Sequence, residues 1–261
     1  MIEIKELTKS FGDKPVLRGL NLTIQTGEAV VIIGRSGCGK SVLLKLLTGL
    51  MSADSGQILI DGEDITSLRD TDLYRVRRKF GVLFQGSALF DSMTVAENIS
   101  LGLREHTDLC EDKINEIVEQ KLRLVGLSDI ENLKPAELSG GMKKRVGLAR
   151  AIAMDPQYVL YDEPTTGLDP IMADIINELV KRLNEELEVT TIAVTHDMVS
   201  AYKIADRIVM LHRGVIIHDG TPEEVKKTDD AVVRQFIEGN AEGPIKPVIS
   251  SDQSLRKLSM R

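Results

Sequence analysis

Residues 34–41 read Gly34-Arg35-Ser36-Gly37-Cys38-Gly39-Lys40-Ser41 and match the phosphate-loop pattern G-x-x-x-x-G-K-[ST] at every constrained position. The apolar run before them, residues 28–33, is typical of a buried strand, and residues 41–47 after them are typical of a helix. Strand, loop and helix in that order are the context in which the pattern binds phosphate. We therefore predict a nucleotide-phosphate site here, in preference to a glycine-rich turn with a surface lysine.

This loop offers three kinds of contact to a phosphate chain. Its glycines let the backbone bend so that successive N–H groups converge on phosphate oxygens, and the following helix adds the positive end of its dipole. Lys40 is expected to reach the β and γ phosphates. Ser41 is expected to give its hydroxyl to a Mg²⁺ ion, which offsets the phosphate charge.

Composition and charge exclude several other classes of protein. The chain has 261 residues, of which 42% are hydrophobic and 28% charged, as in a soluble protein of one or two domains. A net charge of −7 argues against a general nucleic-acid binder, and two cysteines suit a reducing compartment. No apolar run approaches the roughly 20 residues that span a bilayer, and the start lacks the pattern of a signal peptide. We expect a cytoplasmic protein that reaches a membrane through other proteins.

A second apolar run, residues 158–161, ends in the adjacent acids Asp162 and Glu163. Neighbouring residues of a strand point to opposite faces. One acid can therefore hold Mg²⁺ with its water while the other orients or deprotonates an attacking water, the division of labour that phosphoryl transfer to water requires. A solvated acidic strand end is the alternative interpretation.

Three single residues add weaker signals. Gln85 and His196 each follow a β-rich run, and ligand groups gather at strand ends in parallel sheets. His196 could contact a γ phosphate, although a single glutamine or histidine at a strand end is more often structural. Phe11 lies in a polar segment, where it could stack on a purine base or be a partly buried turn residue.

The spacing of apolar residues predicts how the chain is organised. Residues 2–33 favour short strands joined by turns, and residues 95–154 have helical spacing that indicates a helical subdomain inserted into an α/β core. A hairpin is predicted over 207–217 and a helix over 222–238. The composition from Gly239 onward is typical of a flexible tail.

The last helix of that subdomain begins at an unusual glycine pair. Ser139 is suited to cap the helix, while Gly140 and Gly141 leave its first N–H groups open to an anion. A helix N-terminus with bare N–H groups is useful when an anion is brought to it, so we expect a second phosphate contact here.

In their order and spacing, these motifs resemble those of an ATP-binding cassette (ABC) ATPase over residues 2–238. Leu138-Ser139-Gly140-Gly141 is the most specific part, because kinases and GTPases do not carry it. The resemblance implies an α/β fold: a P-loop NTPase (RecA-like) core with an antiparallel β subdomain and an inserted α-helical subdomain. It implies an ABC ATPase domain at 1–238, with the helical subdomain at about 86–155, and a C-terminal extension at 239–261.

The resemblance also implies a role for each matching residue. The cofactors are ATP and Mg²⁺, and Lys40, Glu163 and His196 are the implied catalytic residues, with Glu163 as general base. The implied Mg²⁺ contacts are Ser41, Gln85 and, through water, Asp162. The implied nucleotide contacts, with Phe11 stacked on adenine, are Phe11, Gly34, Arg35, Ser36, Gly37, Cys38, Gly39, Lys40, Ser41, Val42, Gln85, Ser139, Gly140, Gly141, Met142, Asp162 and Asp169.

In such proteins Ser139, Gly140 and Gly141 serve the ATP that the opposite subunit binds, and Asp169 lies at the dimer seam. The resemblance thus implies a homodimer with ATP between its subunits. Met142 is a departure, because the family most often has Gln at that position. We expect the backbone cradle to survive this change and any side-chain hydrogen bond there to be lost.

Residues 138–146 and 84–95 look like the lipid-transport branch of the family, which includes the ATPases of the Mla phospholipid system and of Mce-domain systems. Residues 234–239 and 242–244 are similar to the ending of the Mla ATPase, whose tail crosses to the partner subunit, so residues 240–261 are expected to do the same. The implied partners are membrane permease subunits, an Mce-type lipid-binding protein and a small regulatory subunit. The implied location is peripheral, on the cytoplasmic face of the inner membrane.

Two alternatives stay open at this point. The first is a transporter ATPase for another cargo, because permease and binding-protein surfaces choose the cargo. The second is a soluble ABC protein of translation or DNA repair. It is disfavoured because the chain carries one cassette, no long heptad run and a negative net charge.

Overall fold

The computed structural model describes residues 1–246 of the chain. In chain order the strands are β1 (Ile2–Phe11), β2 (Lys14–Ile24), β3 (Ala29–Ile33), β4 (Ser55–Ile60), β5 (Glu63–Asp64), β6 (Phe80–Leu83), β7 (Tyr158–Asp162), β8 (Thr190–Thr195), β9 (Arg207–His212) and β10 (Val215–Gly220). The helices are α1 (Lys40–Leu47), α2 (Asp70–Arg77), α3 (Val95–His106), α4 (Glu111–Leu124), α5 (Gly140–Ala151), α6 (Pro170–Leu187), α7 (Met198–Ile204), α8 (Pro222–Lys227) and α9 (Ala231–Glu238).

Within residues 1–246 the strands form two sheets. The smaller sheet has the order β2-β1-β4-β5 and is antiparallel throughout. The larger sheet has the order β10-β9-β3-β8-β7-β6; its pairs from β9 to β6 are parallel, and β10 closes it as an antiparallel hairpin with β9. This is the predicted α/β core with an antiparallel β subdomain, and the predicted hairpin is confirmed.

The larger sheet is covered on both faces, as parallel sheets are. Every residue of β3 and β8 is buried. Alternate residues of β3 enter different cores: Val31 and Ile33 pack with the helices α3 to α7, whereas Val30 and Ile32 pack with α1 and the smaller sheet. A rigid, doubly covered sheet therefore lies beneath the loops that follow its strands.

The helices α3, α4 and α5 pack on one another and on the β6 side of the larger sheet. α3 begins at a capping box, because the Thr94 side chain accepts from the Glu97 N–H at 3.2 Å and the Glu97 carboxylate accepts from the Thr94 N–H at 2.7 Å. The subdomain boundary at about 86–155 remains a prediction. Among residues 1–246, no helix combines the length and apolar character that crossing a bilayer requires.

The predicted single helix over 222–238 was wrong in the middle. α8 ends at Lys227 and α9 begins at Ala231, because the Asp230 carboxylate accepts from the N–H groups of Val232 and Val233 and caps a new helix. The predicted crossing of the tail to a partner subunit falls largely on residues 247–261, which lie outside the described residues.

Candidate nucleotide site

The candidate site lies where three neighbouring parallel strands end at one edge of the sheet. β3, β8 and β7 are adjacent, with Ile33 opposite Thr195 and Asp162 opposite Val194. The phosphate loop follows β3, Glu163 follows β7 and His196 follows β8. The fold thus brings together motifs that are far apart in the sequence, at the edge where α/β proteins bind ligands.

The phosphate loop has a backbone that its glycines permit. Gly34 has φ 151°, and a Cβ at that position would lie 2.3 Å from the Leu211 carbonyl oxygen. Gly39 has φ 114° and caps α1, whose first turn contains no acidic side chain. No carboxylate from the helix's own first turn competes for its N-terminus, which is suited to a phosphate.

Lys40 is buried beneath this loop and is held by its backbone. Its Nζ donates to the carbonyl oxygens of Gly34 at 2.6 Å and Arg35 at 3.4 Å, and the side chain lies across the site from Glu163, with Nζ to Oε1 3.8 Å. The ammonium is therefore fixed between the loop and the carboxylate, which is the place that a bound γ phosphate requires of it.

Ser41 and Asp162 form a second contact, which joins the start of α1 to the end of β7. Ser41 Oγ donates to Asp162 Oδ1 at 3.1 Å. Burial raises the pKa of Asp162, against the opposing hydrogen bond from Ser41 and the charge of Lys40. A hydroxyl beside a partly desolvated carboxylate is a set of hard oxygen ligands, so these residues fit Mg²⁺.

Glu163 lies one residue beyond β7, with φ 51° in the left-handed region. Its side chain is turned toward β8: Oε2 accepts from Thr195 Oγ1 at 3.2 Å, from His196 Nδ1 at 2.9 Å and from Thr166 Oγ1 at 3.3 Å. The two acids do face different neighbours. The cause is the left-handed backbone at Glu163, however, and not the strand alternation from which we predicted it.

The segment Ser139–Met142, called here the signature tip, is built differently. Ser139 Oγ accepts from the Met142 N–H at 3.3 Å and caps α5, as predicted. A Cβ on Gly141 would lie 2.3 Å from Met172 Cε, so the tip packs tightly against α6, the helix that Asp169 caps. Within residues 1–246, no hydrogen bond joins the signature tip to the phosphate loop.

Gln85 and Phe11 are accessible but are not joined to the cluster. Gln85 is exposed, and among the described residues its side chain makes no hydrogen bond to Ser41 or Asp162. Phe11 is 49% exposed, with Lys9 Nζ 5.8 Å from its ring centroid. The roles of both residues remain predictions.

Sequence reasoning missed the two threonines that hold Glu163. Thr195 is buried, and its hydroxyl also accepts from the Asp197 N–H at 3.0 Å; Thr166 is partly buried three residues after Glu163. A signal was present, because Thr195 is the polar last residue of the buried strand β8, directly before His196. Its partner could not be named without the pairing of β7 with β8.

Comparison with known proteins places the chain in a family. Residues 17–166, more than half of the chain, match the family described as ABC transporter. The MlaF protein of Haemophilus influenzae, the ATP-binding protein of an intermembrane phospholipid transport system, is 44% identical over 94% of this chain and 93% of its own length. The mkl protein of Mycobacterium leprae, a probable ribonucleotide transport ATP-binding protein, is 45% identical over 97% of this chain and 73% of its own length.

A solved structure supports the same family assignment. The ATP-binding cassette MJ0796, in a dimeric post-hydrolysis state with ADP and Pi, superposes with a TM-score of 0.79 at 34% identity, over 85% of this chain and 99% of that one. Cassettes of this family bind and hydrolyse ATP, dimerise and work with membrane permease subunits. With its fold, its phosphate loop and these similarities together, the chain belongs to the ABC transporter family and is an ATP-hydrolysing cassette of that family.

Proposed function

We propose that this chain is the ATPase of a transporter that moves phospholipid between bacterial membranes. It would work as a homodimer, peripheral on the cytoplasmic face of the inner membrane and bound to permease subunits, with an Mce-type protein and a small regulatory subunit as further partners. The observation that carries the cargo is the 44% identity to MlaF, which extends over nearly the full length of both chains. The mkl protein is described as a probable ribonucleotide transport ATP-binding protein, which indicates a different cargo, but this chain spans only 73% of the length of mkl.

The chemistry of hydrolysis is assigned to Glu163. Three donors occupy its Oε2, so Oε1 is the oxygen that can take a proton from an attacking water. Because His196 directs Nδ1 at Glu163, its Nε2 is the nitrogen available to a γ phosphate. Donation to both partners at once requires the protonated ring.

The phosphates are assigned to the loop and to Lys40, whose buried ammonium balances their charge. Ser41, Gln85 and, through water, Asp162 would hold Mg²⁺, which would offset the negative charge of the phosphates. The three hydrogen bonds to Oε2 hold the Glu163 carboxylate on the β8 side of the site.

The signature tip is assigned to the nucleotide of the partner subunit. Ser139 and Gly140 are exposed, and among residues 1–246 no hydrogen bond joins the start of α5 to the chain's own phosphate loop. The dimeric state of the MJ0796 cassette supports this arrangement. Asp169 caps α6 beside the tip and would lie at the same seam.

The permease is assigned to a groove beside β6. The groove has a volume of about 680 Å³ and lies between α2, β6 with the segment after it, α3 and α5. Aromatic and apolar side chains line it together with the basic side chains of Arg77, Arg78, His106 and Arg150. Tyr74, Phe84 and Phe90 are each more than a third exposed there. Apolar side chains exposed together indicate a partner surface, and a permease helix is the partner that the family supplies.

Reconstitution tests the proposal. The chain and its co-encoded permease would be placed in vesicles with fluorescent phospholipids or labelled ribonucleotides, and transfer would be followed with ATP. We expect ATP-dependent lipid transfer for the native chain and none for Glu163→Gln, which binds ATP but cannot deprotonate water and accumulates as a closed dimer. Ribonucleotide movement without lipid transfer would show that the cargo is ribonucleotide and not phospholipid. An undiminished kcat in Glu163→Gln would show that Glu163 is not the general base.

A further inference from the structure

Lys144 is almost completely buried and has no carboxylate partner among residues 1–246. It lies on α5, one turn beyond the signature tip, and is 4% exposed. Its Nζ donates to the backbone carbonyl oxygens of Gln85 and of Glu163, the latter at 3.3 Å. No ion pair of Lys144 occurs in the part of the chain that the structure describes. Buried lysines without an acidic partner are rare, because desolvating the ammonium is costly.

The surroundings show what this ammonium joins. Gln85 follows β6 and Glu163 follows β7, so one side chain of α5 connects two neighbouring strand ends. Burial lowers the pKa of Lys144, and the negative charges of Asp162 and Glu163 oppose that shift. The ammonium therefore lies in the field of the two acids but contacts backbone oxygens.

The same face of α5 is pressed against the segment that carries Gln85. A Cβ on Gly147 would lie 2.7 Å from Leu83 Cδ1, and a Cβ on Gly81 would lie 2.0 Å from the Ala151 carbonyl oxygen. Arg150 donates to the carbonyl oxygens of Ser87 at 2.7 Å and Ala88 at 2.8 Å. Positions three and four apart share a helix face, so these contacts and Lys144 form one continuous seam along α5.

We propose that Lys144 is a positioning residue for ATP hydrolysis, whose two hydrogen bonds fix the backbone of Gln85 and of Glu163 to the helix that carries the signature tip. The inference rests on the proposed function of Glu163 and Gln85. It adds a physical link between the two sides of the site within one chain. A shift of α5 when the signature tip meets the partner's nucleotide is transmitted to the carbonyl of the general base.

The hydrogen bond from Lys144 also bears on the left-handed backbone conformation of Glu163. A non-glycine residue at φ 51° is held there by its surroundings. The Glu163 N–H donates to the Val194 carbonyl at 2.9 Å, and Lys144 holds its carbonyl oxygen, so both peptide groups of the residue are fixed. Removing Lys144 releases one of these restraints, and the carbonyl oxygen of Glu163 is then left with the Thr166 N–H at 3.3 Å as its donor.

The test compares Lys144→Met with Lys143→Met. Methionine keeps most of the stem and removes the ammonium, and Lys143 is a neighbouring, partly exposed lysine without a side-chain hydrogen bond within residues 1–246. We expect Lys144→Met to lower kcat by about 10- to 100-fold, the effect of charge-assisted hydrogen bonds, with little change in the Kd for ATP. Lys143→Met should stay within about twofold of the native kcat.

A structural role alone would give a different result: a lower Tm, with the native kcat per folded molecule. The proposal is overturned if Lys144→Met keeps the native kcat, if Lys143→Met loses as much, or if the loss follows the unfolded fraction. Lys144→Gln is the second variant, because its neutral amide is cheaper to bury and still donates. It should lose about 3- to 10-fold in kcat with no fall in Tm, and a native kcat in this variant would also overturn the proposal.

Glu163→Gln is assayed beside these variants to separate the two proposals. If Glu163→Gln hydrolyses ATP at the native rate, the proposed function of the site is wrong. If Glu163→Gln is inactive while Lys144→Met and Lys144→Gln are fully active, only the inference about Lys144 is wrong.

Discussion

The phosphate-loop side of the site and the signature tip are built in opposite ways. Around the phosphate loop, side chains from three strand ends bond to one another: Ser41 to Asp162, and Thr195 and His196 to Glu163. At the signature tip, the Ser139 side chain bonds within its own helix, and Gly140 is exposed. The first side is completed by folding alone. The second side presents the backbone N–H groups at the start of α5. In a family whose members dimerise, the nucleotide bound by another copy of the chain can provide the anion for these groups.

The largest effect is expected from a substitution on the phosphate-loop side. Lys40→Ala removes the buried ammonium that balances phosphate charge, and we expect kcat/KM to fall by about 1,000-fold, with ATP binding lost in the single chain. Lys45→Ala, an exposed lysine on the same helix, is the control and should stay within about twofold. Steady-state hydrolysis and nucleotide titration measure both variants; near-normal hydrolysis by Lys40→Ala would contradict the assignment of the loop.

The next effect belongs to the signature tip. Ser139→Asp keeps a good N-cap for α5 but places a negative charge where a phosphate would lie, so we expect kcat to fall by about 100-fold. The matched control is Ser139→Asn, because asparagine has nearly the shape of aspartate and also caps the helix but carries no charge. Its kcat should fall far less than that of Ser139→Asp. Unlike Lys40→Ala, Ser139→Asp should leave ATP binding by the single chain unchanged.

The measurement is light scattering with ATP, made in the Glu163→Gln background so that dimers accumulate. Ser139→Asp should prevent the dimer and Ser139→Asn should permit it. If Ser139→Asp instead weakened ATP binding to the single chain as strongly as Lys40→Ala does, both sides would serve one nucleotide within one chain. The comparison between them would then be wrong.

The phosphate-loop side was largely predictable from the sequence because strand ends of a parallel sheet meet at one edge. Gly34 to Ser41, Asp162, Glu163 and His196 each follow an apolar run, and the fold gathers them as that rule requires. The helix at the signature tip was predictable because Ser139 is a strong capping residue. These signals are local in the sequence.

The features that escaped prediction depend on tertiary contacts. Lys144 lies in the run Lys143-Lys144-Arg145, which by composition resembles a solvated face, and only the packing of α5 on β6 buries it. The break before α9 escaped because a buried valine on each side, Val225 and Val233, fits one continuous helix as well as two. The side chain of Asp230 decides between them.

A moderate effect sharpens the account of the phosphate-loop side. Thr195→Val removes the buried hydroxyl that donates to Glu163 Oε2, so we expect kcat to fall by about tenfold, with ATP affinity retained. Thr191→Val on the same strand is the matched control, because the Thr191 hydroxyl is also buried but bonds Asn184 at 2.9 Å, away from the site. Both variants should lose about 1 kcal/mol of unfolding free energy, and only Thr195→Val should lose rate. Equal rates would show that Glu163 does not need Thr195.

The smallest effect is expected at Tyr161, which tests how far the phosphate-loop side extends along β7. Tyr161 precedes Asp162, and its buried hydroxyl has no partner within the described chain, while burial raises its pKa and keeps it neutral. Tyr161→Phe should therefore raise the free energy of unfolding by about 1 kcal/mol and leave kcat unchanged. Tyr158, on the other face of β7, donates to Asp61 at 2.5 Å, so Tyr158→Phe should lower the free energy of unfolding by about 1 kcal/mol. Denaturant unfolding and hydrolysis assays separate the cases. A changed kcat in Tyr161→Phe would extend the site one residue into the strand, because a hydroxyl that contributes only to the core can alter stability but not the position of the carboxylates beyond it.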